Sequence, residues 1–197
     1  MLAFLAAWLP MAAQDTSDGP TAVRPTHIYL VALGEFAHVP LEELAAFYRN
    51  RFGLAVDVLP PIAVGGAQVS LLRRQVVAEE LVGLMRSAYP DVAESPDSIV
   101  FGLTEFDMYA VGAPAPYLFD WRQDGRFVVV SSSHMDPGNY LRPVDREVMR
   151  SRVQKMITRN VGIVMFGLQL NGDALSVLSA NIATLDDLDR VGTDLPL

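Results

Sequence analysis

The hydrophobic positions of this chain form short apolar runs that alternate with segments of helical period. Residues 27–33 are mostly apolar and end at Gly34, a pattern typical of a strand buried on both faces. The next segment predicts a helix that has Pro40 in its first turn and stops at Gly53. The apolar positions that share one face of this helix are Leu41, Leu44, Ala45 and Tyr48. The chain therefore opens as a strand followed by a helix.

The rest of the chain continues this alternation of strands and helices. The elements predicted in order are a strand at 56–59, a helix at 71–88, a strand at 98–103, strands at 118–121 and 127–131, a helix from about 145 to 166 and a short helix at 185–189. The strand at 56–59 ends at Pro60-Pro61, and Asp124-Gly125 is a hairpin turn signal. This alternation of strands and helices predicts one α/β domain.

Composition and charge narrow the classes of function. The chain has 197 residues, of which 51% are hydrophobic, and this is enough for one domain with a large core. Its net charge of −8 argues against binding nucleic acid or an anionic membrane surface, because both need a basic surface. The chain has no cysteine, which excludes disulfides, thiolate zinc sites, iron–sulfur clusters and cysteine nucleophiles.

The first 14 residues carry no charge. The apolar run at 2–9 is too short for a bilayer span of about 20 residues, but it has the length of a signal-peptide core. We therefore predict a signal peptide at 1–14, a disordered spacer at 15–25 and one α/β domain at 26–197. Export to the periplasm or the extracellular space is expected, without stable membrane insertion once the leader is removed. The alternative is a cytoplasmic protein with a short hydrophobic tail or a wrongly assigned start codon.

Serines, histidines and acidic residues are the candidates for chemistry. Ser131–His134 and Asp136 are close in sequence, but neighbours in an extended chain point to opposite faces and no G-x-S-x-G motif is present. A turn at a strand end is the favoured interpretation. Gly65-Gly66 lacks the lysine of a phosphate-binding loop and is interpreted as a flexible loop. The three histidines, His27, His38 and His134, form no i, i+4 pair, so surface or core roles are favoured over metal binding.

The acidic residues near the C-terminus do not have calcium-loop spacing. These residues are Asp173, Asp186, Asp187 and Asp189. Calcium loops place oxygen ligands at fixed intervals around a glycine turn, and this pattern is missing here. Acidic residues that follow Thr184 are typical of the first turn of a helix. We interpret them as a helix start.

Several segments, taken in order, resemble the archaemetzincin-type zinc-dependent peptidases. The matching segments are 27–33, Pro40–Leu44 with Tyr48, Arg51–Leu54, Arg73–Gln75 with Ala78 and Leu81, Ile99–Thr104, Phe106–Tyr109 and Phe127–Ser131. The last of these is similar to the edge strand of that family, and Arg152 and Lys155 lie where its active-site helix begins. The similarity spans roughly residues 27–190. It implies a metzincin-like mixed, twisted sheet packed with about three helices in a single domain.

The zinc motif of that family is missing from this chain. The family binds zinc through H-E-x-x-H, in which residues i and i+4 share a helical face and the Glu polarises the zinc-bound water. The resemblance puts Arg159, Asn160 and Ile163 at the first His, the Glu and the second His. An arginine has no free lone pair and isoleucine is a hydrocarbon, so neither can hold the metal. Leu178 replaces the methionine of the family's Met-turn. We expect no catalytic residue, no metal and no cofactor.

The sequence thus predicts a catalytically inactive archaemetzincin-like domain that binds a peptide or a protein partner. Its candidate binding residues are Arg159, Asn160, Asp107 and His134, and residues 127–133 are the candidate sheet edge for an added strand. Arg159 either pairs with Asp107 or Asp187 or lies on a solvated helix face. One alternative is a zinc-dependent peptidase with a non-standard site built from His134, His38 and acidic residues. Another is a purely structural domain.

Overall fold

The computed structural model describes residues 25–140, 143 and 145–197. The predicted signal peptide and all but the last residue of the predicted spacer lie outside the described residues, so both stay predictions.

The strands are β1 His27–Leu33, β2 Ala55–Ile62, β3 Val69–Ser70, β4 Gln75–Val77, β5 Ser98–Thr104, β6 Met108–Tyr109, β7 Asp120–Gln123 and β8 Phe127–Ser131. The helices are α1 Leu41–Phe52, α2 Ala78–Ala88, α3 Pro90–Glu94, α4 Arg146–Val164 and α5 Leu185–Arg190. Among the described residues, none of these helices is both long and apolar enough to cross a membrane.

The main sheet has five strands in the order β2-β1-β5-β8-β7. β1 pairs in parallel with β2 and β5, and β5 pairs in parallel with β8. β7 turns back and pairs antiparallel to β8, so the sheet is mixed. A second, small sheet has the order β3-β4-β6. This arrangement, with three longer helices and two short ones, confirms the predicted fold class.

The two faces of the main sheet bury two separate apolar clusters. Every residue of β5 and β8 is buried, as their continuous apolar sequences require. Successive side chains of a strand point to opposite faces, so Val128 and Val130 pack with α1 and α4 while Val129 packs with α2. The domain therefore has three layers, with α1 and α4 on one face of the sheet and α2 on the other.

Local sequence explains where the two longest helices begin and end. α1 buries Leu44, Ala45 and Tyr48 on the predicted face and ends at Gly53, whose φ of 65° is left-handed. α4 begins at Asp145, whose carboxylate accepts hydrogen bonds from the next helical N–H groups at 2.9 and 3.2 Å. Its observed length of 19 residues agrees with the predicted helix from about 145 to 166.

Three expectations about elements were wrong. Residues 71–77 are the turn and second strand of a hairpin, because Val76 pairs antiparallel with Val69 of β3 and in parallel with β6, and only 78–88 is helical. β2 does not end before its prolines and continues through Pro60 and Pro61 to Ile62. Residues 127–133 are not at the sheet edge, because β8 lies between β5 and β7 and is wholly buried. The edge strand on that side is β7.

One face of α4 carries a cationic row, Arg152, Lys155 and Arg159, that holds the C-terminal segment. Arg152 donates to both carboxylate oxygens of Asp189 at 2.7 and 2.6 Å and to the Met135 carbonyl at 2.6 Å. Lys155 donates to the carbonyls of Leu188 and Asp189 at 2.9 and 3.0 Å. These carbonyls end α5, so the cation also faces the negative end of that helix. Burial lowers the pKa of Lys155, and Asp189 partly opposes this.

We expect a pH-dependent part of the stability to come from Asp189. Its hydrogen bonds from Arg152 hold the pKa of Asp189 below its ordinary value of 3.8 in the folded protein. A carboxyl with a depressed folded pKa stabilises the fold above its unfolded pKa of about 4, and this stabilisation is lost as pH falls through the folded pKa. The difference in free energy of unfolding between the native chain and Asp189→Asn, measured by urea titration, should be constant above about pH 5 and shrink below about pH 4. A constant difference for Asp189→Asn down to about pH 2 would contradict the assignment.

Candidate functional site

A polar cluster, buried on its α4 side and half-buried on its β7 side, joins α4 to the edge strand β7. It consists of Asp120, Arg122, Arg159 and Asn160, and we call it the β7–α4 cluster. Asn160 is fully buried, and its amide nitrogen donates to Asp120 Oδ2 at 2.9 Å and to the Met156 carbonyl at 2.8 Å. Arg122 Nη1 donates to Asp120 Oδ2 at 2.7 Å and to Asn160 Oδ1 at 2.8 Å. The side chain that the resemblance puts at the family's catalytic Glu is thus fully engaged in hydrogen bonds.

Arg159 is a buried cation with mainly backbone partners. It is 6% exposed, and its Nη1 donates to the Val177 carbonyl at 3.3 Å and to the Ser179 carbonyl. Among the described residues, its Nε has no hydrogen-bond partner. Burial lowers the pKa of Arg159, while the Asp120 charge opposes that shift and the Arg122 charge adds to it. Asp120 is therefore the anion that balances this cation.

Both expectations for Arg159 were wrong. It does not pair with Asp107, which lies 3.1 Å from His134, or with Asp187, which caps α5 through Thr184. It also does not lie on a solvated face, because α4 is buried nearly all round. Its guanidinium instead ties α4 to residues 177–179, the segment that the resemblance places at the Met-turn.

The β7–α4 cluster does not fit zinc. Its two arginines offer no lone pair, and neither does Ile163 at the position of the family's second His. The amide of Asn160 already has partners on Asp120, Arg122 and Met156. A cationic guanidinium beside the site would also repel Zn²⁺. Across the described ranges, there is no group of three or more His, Cys, Asp or Glu side chains that could hold a metal ion.

The other two predicted site residues, Asp107 and His134, form a separate pair beyond the carboxyl ends of β5 and β8. His134 Nε2 lies 3.1 Å from Asp107 Oδ1. The imidazole stacks on the ring of Tyr117, with 3.7 Å between ring centroids and 10° between their planes. The structure therefore brings Asp107 and His134 together. They form a group separate from the β7–α4 cluster, which contains Arg159 and Asn160.

A pocket of about 260 Å³ lies along the segment that runs from Tyr117, which contacts His134, to Asp120 of the β7–α4 cluster. It is lined by residues 115–120, Ile182 and Ala183. Tyr117, whose ring stacks on His134, closes one side of the pocket through a hydrogen bond from its hydroxyl to the Ala183 carbonyl at 3.1 Å. Asp120, which accepts a hydrogen bond from Asn160, ends the lining segment 115–120 and is the first residue of β7. A larger hollow of about 490 Å³ lies at β2, on the other edge of the sheet.

A serine, a histidine and an aspartate do meet, but not in a catalytic geometry. His38 Nδ1 lies 2.9 Å from Ser132 Oγ, and its Nε2 lies 3.3 Å from Asp136 Oδ2. Ser132 is fully buried and its hydroxyl donates to the Thr104 carbonyl at 3.2 Å, so a substrate carbonyl cannot reach it. Glu105 and Asp136 approach opposite ring nitrogens of His38, so the three groups do not converge on one point where a metal could bind.

Sequence reasoning missed Asp120, Arg122 and Tyr117. The two charged residues occupy alternate positions of a short hairpin strand, and this spacing puts both on one face. That face was identifiable as polar, but its partner was not, because nothing in the sequence says that α4 packs beneath β7. Tyr117 gave no local signal at all.

No protein-family model matches the chain, and no curated protein matches it significantly. Three solved structures match over most of their length. The archaemetzincin from Archaeoglobus fulgidus, complexed with malonate, has 25% identity and a TM-score of 0.64, and the match covers 85% of this chain and 94% of that one. The archaemetzincin from Methanopyrus kandleri has 25% identity and a TM-score of 0.64, with 88% and 92% covered. A zinc-dependent peptidase from Methanocorpusculum labreanum has 16% identity and a TM-score of 0.67, with 85% and 94% covered.

The structural matches agree with the order of sequence motifs found along the chain. Two of them are archaemetzincins at 25% identity, and each is covered over more than nine tenths of its length. The sequence contains no H-E-x-x-H, and residues 135–197 contain no histidine. This chain is therefore archaemetzincin-like in fold and lacks the zinc motif of that family.

Proposed function

We propose that this chain is a non-catalytic archaemetzincin-like domain that binds an extended peptide or protein segment along β7. The observation that carries the proposal is the open backbone of this edge strand beside a pocket. Among the described strands, β7 pairs with β8 alone. Recognition by strand addition needs only a free edge and a place for a side chain, so it does not need a metal.

The direction of the β7 backbone supports this mode of binding. The N–H of Ser131 donates to the Phe119 carbonyl at 2.9 Å, so that pair is hydrogen-bonded across the hairpin. Hydrogen-bonded and non-hydrogen-bonded pairs alternate in an antiparallel ladder, which directs the N–H and C=O groups of Asp120 and Arg122 outward. The preceding outward N–H, that of Leu118, is already bonded to Met108, so the open edge begins at Asp120.

The neighbouring pocket supports a preference for an apolar or aromatic side chain. Its walls include Tyr117, Phe119 and Ile182, and it ends where the open edge begins. At about 260 Å³ it has room for one large side chain, although it is smaller than the pockets of about 300–1,000 Å³ that bind whole drug-sized ligands. A peptide paired with β7 would therefore be anchored by its backbone and selected by one residue.

We expect the purified protein to contain far less than one zinc per chain. The protein should be prepared without chelators or a histidine tag, and its metal content measured by elemental analysis. A chelator should leave its thermal unfolding unchanged, because a fold that is not held by a metal does not lose stability when the metal is removed. About one zinc per chain, lost on chelation together with peptidase activity, would contradict the proposal and support a rebuilt metal site.

Filling the pocket should weaken peptide binding without changing the fold. Ala183 is exposed at the pocket rim, so the substitution Ala183→Trp fills the space without entering the core. We expect peptides selected from a random library to bind the native chain and to lose at least about tenfold in affinity for this variant, since one buried anchor side chain contributes about 1.5–3 kcal/mol. The matched control is Ala180→Trp, at an exposed alanine outside the pocket.

Amide chemical shifts provide the second readout of the same experiment. Bound peptide should shift the amides of β7 and leave those of β2 unchanged. Selected peptides that bind equally to both tryptophan variants, or that shift amides elsewhere only, would rule out the β7 site.

A further inference from the structure

The hairpin formed by β3 and β4 exposes two adjacent leucines at its tip. Leu71 is 88% exposed and Leu72 is 95% exposed, the two highest values for large hydrophobic side chains among the residues that the structure describes. The loop is closed by a hydrogen bond from the Arg74 N–H to the Ser70 carbonyl at 2.7 Å. Neighbouring exposed leucines are costly in water, and a contiguous apolar tip of this kind marks a contact surface.

Two exposed arginines follow these leucines directly. Arg73 stacks over the ring of Tyr109, with its guanidinium carbon 4.4 Å from the ring centroid, and Arg74 is exposed beside it. Residues 58–78 contain both arginines and no acidic residue, in a chain whose net charge is −8. The tip is therefore a local basic and apolar surface on an acidic protein.

We propose that this hairpin docks the domain on an anionic lipid surface, with Leu71 and Leu72 inserted at the level of the headgroups and Arg73 and Arg74 bound to lipid phosphates. The net charge of the whole chain does not prevent this, because screening at physiological salt limits each charge to about 8 Å. Apolar side chains beside basic ones are typical of protein surfaces that bind the interface of an anionic membrane.

The small size of the tip favours a membrane over a protein partner. A stable protein interface buries about 1,200–2,000 Å² in total, which two leucines and two arginines at a hairpin tip do not supply. A bilayer interface needs no shape complementarity, so a few apolar side chains and basic groups suffice for reversible binding. The contact belongs to the small β3-β4-β6 sheet and does not depend on the peptide site proposed at β7.

The test is co-sedimentation of the full chain with two kinds of vesicle, one of phosphatidylcholine alone and one with equal phosphatidylglycerol. We expect binding to the anionic vesicles to be about 30-fold tighter, because each basic residue near such a surface adds about a factor of five. The double variant Leu71→Ser/Leu72→Ser should bind anionic vesicles at least about tenfold more weakly. The double variant Arg73→Gln/Arg74→Gln should lose the preference for anionic lipid and its dependence on salt.

The matched control is Leu175→Ser, which removes another exposed leucine, 63% exposed, from a different loop. Its vesicle binding should equal that of the native chain. Failure of the native chain to bind anionic vesicles, or equal binding to both vesicle types, would overturn the proposal. Equal binding by the native chain and the Leu71→Ser/Leu72→Ser variant would also overturn it and place the membrane contact elsewhere, for instance in the apolar run at 2–9.

Discussion

Replacement of Asp120 by asparagine should lower the free energy of unfolding by about 3 kcal/mol, because it leaves the buried charge of Arg159 without its anion and removes the partner of the half-buried Arg122. Asp120 binds Arg122 and Asn160 directly and supplies the charge that opposes the desolvation of Arg159. Asparagine has nearly the same shape, so the loss comes from charge and hydrogen bonding and not from a cavity. Urea denaturation at neutral pH measures it.

Two further variants separate charge from other effects of this substitution. The control Asp124→Asn changes an exposed aspartate that pairs with Arg86 at the hairpin turn, and it should cost no more than about 0.5 kcal/mol. Arg159→Met should cost less in the Asp120→Asn background than in the native chain, with a coupling of about 1 kcal/mol or more, because methionine removes the unbalanced cation. Strictly additive effects would show that Asp120 and Arg159 do not interact.

The substitution Arg152→Met should cost a similar amount, about 3 kcal/mol, although methionine keeps most of the apolar stem. The arginine side chain is 8% exposed and makes three hydrogen bonds, two to Asp189 and one to the Met135 carbonyl. Its loss leaves a buried carbonyl without a donor and releases α5 from α4. Thermal or urea unfolding measures the change.

The matched control is a second arginine–aspartate pair, in which both residues lie on α5. Arg190 is 53% exposed and lies 3.5 Å from Asp187. Exposed pairs of this kind contribute about 0–1 kcal/mol, so Arg190→Met should have little effect. Equal losses for Arg152→Met and Arg190→Met would mean that burial and the bond to Met135 do not matter.

The sequence was most informative where one local pattern determined the structure. The 3.6-residue period from Leu41 to Tyr48, bounded by Pro40 and Gly53, was enough to predict α1. At 71–77 the same reasoning failed, because leucines and arginines there have good helix propensity, and it is the pairing of Val76 with Val69 and with Met108 that makes residues 75–77 a strand. Long-range pairing overrides propensity and leaves no local trace.

The misplaced sheet edge has a different cause. The resemblance suggested that residues 127–133 were at the edge, whereas their uninterrupted apolar sequence is the same signal that predicted a doubly buried β1. Applied consistently, that criterion predicts an interior strand, as the structure has it. The short, polar-alternating 120–123 segment was the better edge candidate.

The polar residues of α4 were the hardest to predict. A helix with arginine, lysine and asparagine is expected to turn them to solvent, yet Arg152, Lys155, Arg159 and Asn160 are all buried. The partners of Lys155 and Arg159 are backbone carbonyls of the C-terminal segment. Carbonyls are present at every residue, so the sequence does not mark which ones are used. The resemblance identified Arg159 and Asn160 as the positions of interest without revealing their contacts.

The two prolines of β2 bear on how copies of this molecule meet one another. In a strand with a neighbour on one side, one of two consecutive N–H groups points away from that neighbour, so Pro60-Pro61 removes a donor from the outer side of β2. A chain with two open edges could stack copies without limit into a fibre, as in cross-β assemblies. Within the part of the chain that the structure describes, β2 is the main-sheet edge that prolines interrupt, so pairing of a second copy along β2 is disfavoured relative to pairing along β7. Edge-to-edge contact is thereby directed to β7, where two copies would meet as a symmetric pair.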